Sequence, residues 1–424
     1  MTTHKPLKIA VWYNMPHCGA KRALYSHIKG LVERGHQVTS WTTSLSDREY
    51  LPLCDLVTEH VVDLPRRWRT QAGPLTTFFQ PYQDTLFNIE GMKEHSRQCA
   101  AQINAGDFDV VFVNQCASFA VSYLGRYLSQ PKLLYLQDPL RVLYEATPTL
   151  PWMAKVPAVS ALKKLSPLHW KNVAYDHLCV SALRQQLRDE WENVRTYDNV
   201  LVNSYFSREA VARAYGIAPQ VCYLGIDTSH FASPAAIERE DFVLGVGQIA
   251  PRKNLELAIE AISLIPSPRP KLVWIGNAAD AGYLQQLQTQ AAQSGVEFEP
   301  RIRVSDEELI RALHQARLML YVPKLEPFGL APLEANACGT PAVGIREGGL
   351  RETIQDVVNG LLAEPQAQAV AQAIATLWND PALAQRLGQQ GRELVADRWN
   401  EPDSITRLEN YLYQVHSTHN SSKR

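Results

Sequence analysis

Residues 242–275 read FVLGVGQIAPRKNLELAIEAISLIPSPRPKLVWI, and their order decides the fold. Phe242–Gly247 is a short apolar run, as a buried parallel strand makes. Asn254–Leu264 reads as a helix and Leu272–Ile275 as the next strand. Downstream the alternation continues. Tyr283–Ser294 is a helix closed by Gly295, Val296–Phe298 a short strand, Asp306–Ala316 a helix and Arg317–Val322 a strand. Pro332–Ala337, Pro341–Gly344 and Leu350–Val357 follow as helix, strand and helix. Upstream, Lys8–Tyr13 is a strand and Asn14–Ala20 a loop. Lys21–Arg34 carries Leu24, Ile28, Leu31 and Val32 at helical spacing, with Gly35 placed to end it. Gln37–Thr42, Val110–Val113, Leu133–Leu136 and Asn199–Asn203 read as strands, and Ser207–Tyr215 as a helix before Gly216. Two such series predict an α/β chain of two Rossmann-like, doubly wound domains with parallel sheets. The boundaries read as 1–225, 226–400 and a last helix in 401–424 that packs back on the first domain and frays at its tail. Tyr223–Glu240 is the linker.

Composition narrows the function. Of 424 residues, 42 are Lys or Arg and 43 are Asp or Glu, so bulk charge does not drive nucleic-acid binding. The seven cysteines, at 18, 54, 99, 116, 179, 222 and 338, show no zinc or CxxC spacing. They read as reduced thiols acting as small buried hydrophobes. No signal peptide is visible and the apolar runs are too short to span a bilayer. A cytoplasmic protein is expected, with peripheral attachment to the inner face of a membrane left open.

In open α/β sheets ligands bind beyond the C-terminal ends of the strands, so the loops there carry the argument. Gly245-x-Gly247-x-x-Ala250 has the spelling of a dinucleotide loop. No acidic residue ends the next strand, however; Gly276-Asn277 stands there. Arg252 and Lys253 instead open a helix, where positive charge is unfavourable unless an anion is bound. A diphosphate suits them; a solvated helix start is the competing reading. Glu326 lies in a loop and Glu334 on the following helix, in or near its first turn after Pro332. Helix-end electrostatics for Glu334, and a solvated loop for Glu326, stay open beside a ligand role. Gly348-Gly349 follows a strand, permitting either close ligand approach or a plain turn.

Together these stretches resemble the retaining glycosyltransferases of family 4. Arg252-Lys253, Glu326-x7-Glu334, the Gly339-Thr340-Pro341 turn, REGGLRETI (Arg346–Ile354) and NGLL (Asn359–Leu362) carry the resemblance. So do Gly19–Val38 and Tyr215–Phe231. The resemblance implies the GT-B architecture, two domains facing across a cleft. It implies that Arg252 and Lys253 hold the diphosphate of a nucleotide sugar and Glu334 the ribose hydroxyls. Glu326 and the backbone of Phe328, Gly329 and Leu330 hold the sugar and Gly247 belongs to the same donor site, with Arg252, Lys253 and Glu326 in the catalytic role. No metal and no cofactor are implied, because fixed cations and helix amides can stabilise the leaving charge. Gly19, Gln137 and Arg141 are the acceptor-side candidates. Many members of that family have two adjacent glycines where Cys18-Gly19 stands, and the polysaccharide mannosyl- and rhamnosyltransferases usually have a His where Gln137 stands. Gln137 can form hydrogen bonds but cannot serve as a base. Arg141 fits an acidic acceptor or a structural ion pair equally.

The expected activity is hexosyl transfer, with retention, from a nucleotide sugar to a saccharide or lipid-linked acceptor in polysaccharide biosynthesis. The QDPLR stretch (Gln137–Arg141), similar to mannosyl- and rhamnosyltransferase motifs, leans toward GDP-mannose, with a UDP-sugar open. A nucleotide-sugar epimerase, a non-catalytic binder and a glycoside hydrolase using Glu326 and Glu334 are the alternatives. Asp107-Phe108-Asp109 has a metal-binding spelling but precedes its strand, at the wrong end of the sheet. Two basic–aromatic stretches, Arg66–Arg69 and Ala146–Tyr175, fit either an anionic lipid surface or a solvated face over core tryptophans.

Overall fold

The computed structural model describes residues 5–66, 76–145, 164–232 and 238–422. It contains two sheets in which every pairing is parallel. The first comprises β1 (Lys8–Asn14), β2 (Gln37–Thr43), β3 (Thr58–Val62), β4 (Val110–Cys116), β5 (Lys132–Leu136), β6 (Asn199–Val202) and β7 (Gln220–Val221), in the order β3-β2-β1-β4-β5-β6-β7. The second comprises β8 (Glu240–Val246), β9 (Lys271–Gly276), β10 (Phe298–Ile302), β11 (Ala316–Tyr321), β12 (Ala342–Ile345) and β13 (Gly360–Ala363), in the order β10-β9-β8-β11-β12-β13. The strand order reverses beside β1 and beside β8. Those two switch points are where such sheets open a crevice at their C-terminal ends.

The central strands are buried on both faces, which explains their nearly continuous apolar sequences, whereas the edge strands β3 and β10 are more exposed and more polar. Ile9, Val11 and Tyr13 of β1 point into one apolar cluster that runs through Ile226 and Trp399 to the second sheet. Ala10 and Trp12 point into another, with Met92 and Ile103. The latter two residues belong to a helix spanning Thr76–Ala105.

Several elements depart from the sequence reading. The first helix, α1, spans Gly19–Glu33, beginning two residues earlier than its apolar spacing suggests. Thr76–Ala105 and Pro167–Val194 are long helices that escape a periodicity argument. Each has a mixed pattern, since one helix serves several neighbours along its length. The strand expected at Val296–Phe298 is Phe298–Ile302, and the helix expected at Leu350–Val357 is a single turn, Leu350–Thr353. Val357, at φ +62°, has left helical space altogether. The seven cysteines are free thiols; Cys99, Cys116, Cys222 and Cys338 are buried, but Cys54 is exposed and so is not a core residue.

The last helix, here α2, spans Glu401–Ser422 and crosses back onto the first domain. Its Ile405, Leu408 and Leu412 are buried. Its Glu409 takes Arg34 Nη1 at 2.6 Å and His36 Nε2 at 2.9 Å. Gly30 lets the helices meet, because a side chain there would overlap Ile405.

Candidate functional site

β8 runs into Gly247, whose φ of +142° suits glycine. A short turn, Pro251–Lys253, comes next, and Asn254 at φ +58° separates it from the helix Leu255–Ser263. Arg252 and Lys253 therefore sit on a turn ahead of the helix rather than within its first turn. Their environments diverge sharply. Lys253 is buried, and its Nζ donates to Glu326 Oε2 at 2.8 Å and to the Tyr321 hydroxyl at 3.0 Å. Arg252 is exposed, and its side chain makes no hydrogen bond or ion pair among the described residues.

Glu326 follows β11. Burial works against its charge, but Lys253, Arg141 and Arg252 outweigh that and hold the carboxyl below the usual range. For Lys253 burial prevails over the attraction of Glu326, and its pKa falls. A carboxyl held low is the opposite of a general acid waiting with its proton, which counts against Glu326 in that hydrolase role. The loop is braced from behind. Gly349 donates to the Glu326 carbonyl at 2.7 Å, and any side chain at Gly348 or Gly349 would strike the backbone of Glu326 or Pro327. These glycines admit the loop of residue 326.

Gly329, at φ +99°, turns the chain into a helix at Leu330–Ala337. Glu334 is its fifth residue, in the second turn rather than the first, and is buried. The amides of Phe328, Gly329 and Leu330 reach no protein acceptor among the described residues, as a helix start leaves them. The Phe328 ring is committed to packing on Trp399, at 5.5 Å between centroids.

The first domain meets this loop with the C-terminal ends of its own strands. Gly19 opens α1, and a Cβ built on it lies 3.3 Å from Leu330 Cδ1. Arg22, one turn on, donates from Nη1 to Glu334 Oε1 at 2.8 Å and from Nε to the Tyr50 hydroxyl at 2.8 Å. The His17 carbonyl accepts from Asn277 Nδ2 at 2.6 Å. Gln137 Oε1 accepts from Asn203 Nδ2 at 2.6 Å. Arg141 pairs with Asp138 at 2.9 Å and donates to the carbonyls of Lys324, at 3.1 Å, and Leu325. Its guanidinium thus bridges the domains directly. Glu352 of the second domain accepts the Tyr205 and Phe206 amides, both at 2.9 Å, where the helix Tyr205–Tyr215 begins.

The structure therefore gathers Gly247, Lys253, Glu326 and Phe328–Leu330 around one loop, with Gly19 and Arg141 against it and Gln137 behind Asn203. Sequence reasoning missed Arg22, Tyr50, Tyr321 and Glu352. A signal for Arg22 was present: Lys21 and Arg22 are two cations in a helix's first turn, the same anomaly that drew notice to Arg252. Asp107 and Asp109 lie at the opposite, N-terminal end of the sheet, where Asp107 pairs with Lys8 Nζ at 2.7 Å. Among the described residues no group of three or more His, Cys, Asp or Glu is arranged to hold a metal ion.

Comparison with known proteins agrees with this geometry. Residues 18–230 match the family described as Glycosyltransferase Family 4, and residues 226–394 match Glycosyl transferases group 1. The human alpha-1,3/1,6-mannosyltransferase ALG2 is 28% identical over 235 residues, 49% of this chain and 56% of that protein. A GDP-mannose-dependent alpha-(1-6)-phosphatidylinositol monomannoside mannosyltransferase of Mycolicibacterium smegmatis is 30% identical over 226 residues, 48% of this chain and 58% of that protein. The chain thus spans somewhat over half the length of these relatives. Among solved structures, Anabaena Alr3699/HepE in complex with UDP and glucose superimposes with a TM-score of 0.67 at 19% identity, covering 96% of this chain and 99% of that one. Sucrose-phosphate synthase from Thermosynechococcus elongatus does so with a TM-score of 0.68 at 18% identity, covering 97% and 100%. With two facing parallel-sheet domains and a family match over half its length, the chain belongs to the family 4 glycosyltransferases and has the GT-B fold.

Proposed function

We propose that the protein transfers a hexosyl group, with retention, from a nucleotide sugar to a saccharide or lipid-linked acceptor. One observation carries the reading: Arg252, exposed and unpaired among the described residues, stands beside the buried Lys253–Glu326 pair, and the amides of 328–330 that follow Glu326 reach no acceptor among those residues. Such an arrangement offers an anion a cation and open N–H groups in a fixed frame. Arg252 and the 328–330 amides bind the diphosphate. Lys253 supports it from below while orienting Glu326 toward the sugar, and Gly247 leaves room above. Glu334 receives the ribose. The bond from the sugar's anomeric carbon to the diphosphate oxygen breaks, and one to the acceptor hydroxyl oxygen forms on the same face. The acceptor proton passes to the departing diphosphate, so Gln137 need not be a base. Gly19, Gln137 and Arg141 border the acceptor side, where Arg141 acts by joining the domains. The mannosyltransferase names of the relatives favour GDP-mannose as donor.

The test is a titration with GDP and UDP, followed by NMR of the products. Arg252→Ala weakens diphosphate affinity roughly tenfold or more, since a charge-assisted bond is worth about 1.5–3 kcal/mol, and leaves the melting temperature unchanged. The product carries a new glycosidic bond of unchanged anomeric configuration. Undiminished affinity in the variant, or an altered free nucleotide sugar as the product, would sink the assignment.

We further propose that the first domain rests on an anionic membrane surface. Among the described residues no helix is long and apolar enough to cross a bilayer. Yet Leu165, Leu168 and Trp170 are 80%, 63% and 62% exposed, next to the exposed Lys164 and Lys171. Trp170 is therefore not the core tryptophan of the alternative reading. Residues 67–69 and 146–163, including Trp152, lie outside the described residues.

A further inference from the structure

Arg22 stands out as a charged side chain that none of the proposed chemistry uses. It reaches from α1 of the first domain into the second, to the carboxylate of Glu334. The contact is well enclosed: 23% of the Arg22 side chain and 8% of the Glu334 side chain are exposed. Two further groups orient the guanidinium. The Tyr50 hydroxyl accepts from Nε at 2.8 Å, and Asp306 Oδ1 lies 3.6 Å from Nη2. Tyr50 is itself fixed by a parallel stack on His17, with ring centroids 3.8 Å apart. The His17 carbonyl in turn accepts from Asn277 of the second domain.

Only one carboxylate oxygen of Glu334 is engaged. Oε1 takes Arg22, while Oε2 has no protein partner among the described residues. An ionised carboxylate has room for about four hydrogen-bond donors. One oxygen clamped by a guanidinium therefore leaves the other oriented, charged and free for hydroxyl donors.

We infer that Arg22 is a positioning residue of the nucleotide site: it fixes Glu334 from the opposite domain, so that the ribose hydroxyls are read only when the two domains are together. This rests on Glu334 being the ribose ligand. Arg22 touches no reacting atom. It acts through Glu334, and Tyr50 acts through Arg22.

The experiment compares affinities of the full chain for UDP and GDP with those for their 2′,3′-dideoxy counterparts. In the wild type the ribonucleotide binds more tightly, by about tenfold or more for one charge-assisted hydrogen bond. In Arg22→Met that preference collapses toward unity while affinity for the dideoxy compound stays within about twofold. Tyr50→Phe, which leaves the guanidinium present but less constrained, loses part of the preference. A structural role alone would move both affinities together and leave their ratio intact. If Arg22→Met and Tyr50→Phe, shown folded by circular dichroism, keep the wild-type ratio, the Arg22 assignment is overturned while the ribose site stands. If the wild type itself does not discriminate, Glu334 is not the ribose ligand and the reading beneath fails.

Discussion

At the scale of single residues, the Lys253–Glu326 pair is one contact that, under the proposed function, serves stability and chemistry together. Both groups are largely withdrawn from water, so removing either strands a charge, at a cost of about 3–5 kcal/mol. Lys253→Met is thus expected to lower the unfolding free energy by that amount in a denaturant titration. Adding Glu326→Leu in the same chain recovers most of it, because replacing both partners by apolar groups is close to neutral. Sugar transfer stays lost in the double variant. Recovery of both would mean the pair has no role beyond the fold. The residue types here were legible in the sequence, as two adjacent cations opening a helix, one carboxylate in a loop and another on the helix that follows it. Their division of labour was not. Adjacent residues 252 and 253 point to solvent and to the interior, and only the turn ahead of the helix decides which goes where.

At the scale of elements, the seam between α1 and α2 carries a titration. His27 is buried against Ser404, its Nε2 at 3.2 Å from the hydroxyl. Burial, with Arg407 adding to it, lowers its pKa from 6.5 to about 4. An unfolded chain takes up a proton at this position near pH 6.5, whereas the folded chain resists until about pH 4. The folded state is therefore favoured above pH 6.5, and that advantage, roughly 3 kcal/mol at most, drains away as the pH falls toward 4. His95 and His314 are lowered by burial too and share the acid limb, so the readout is a difference. Unfolding free energies of His27→Gln and wild type, measured from pH 7.5 to 4, should converge as the pH falls. A constant gap between them would refute the account. The seam itself was only half visible in advance: apolar spacing finds both helices, but not that Gly30 and Ile405, 375 residues apart along the chain, pack together. Arg34 and His36 look like surface residues until Glu409 arrives.

At the scale of the whole molecule, the exposed apolar and basic surface around Leu165–Lys171 is the ground of the proposed membrane contact. Arg141, Ser204 and Glu352 pin the domains together along the loop of residue 326. Leu168→Ser with Trp170→Ser should reduce co-sedimentation with vesicles of mixed neutral and anionic lipid several-fold. Salt should weaken the wild type's binding, since each lysine near such a surface contributes about 1 kcal/mol. Transfer to a short soluble acceptor should be unaffected. Equal vesicle binding by variant and wild type would remove the membrane from the proposal.

Sequence alone determined the class of fold and which loops stand at the C-terminal ends of the strands. Strand and helix periodicity is a local property, and in doubly wound sheets topology sends every ligand to the same edge. It also named the candidate donor-side residues, which lie within the one stretch Gly247–Glu334. Tertiary structure decided the rest. Arg22 meets Glu334 from more than three hundred residues away, Gly348 and Gly349 make room for the backbone at Glu326, and Arg141 spends its charge on carbonyls across the cleft. Those partnerships arise from two sheets facing each other, and no local pattern in the chain records which side chains will meet when they do.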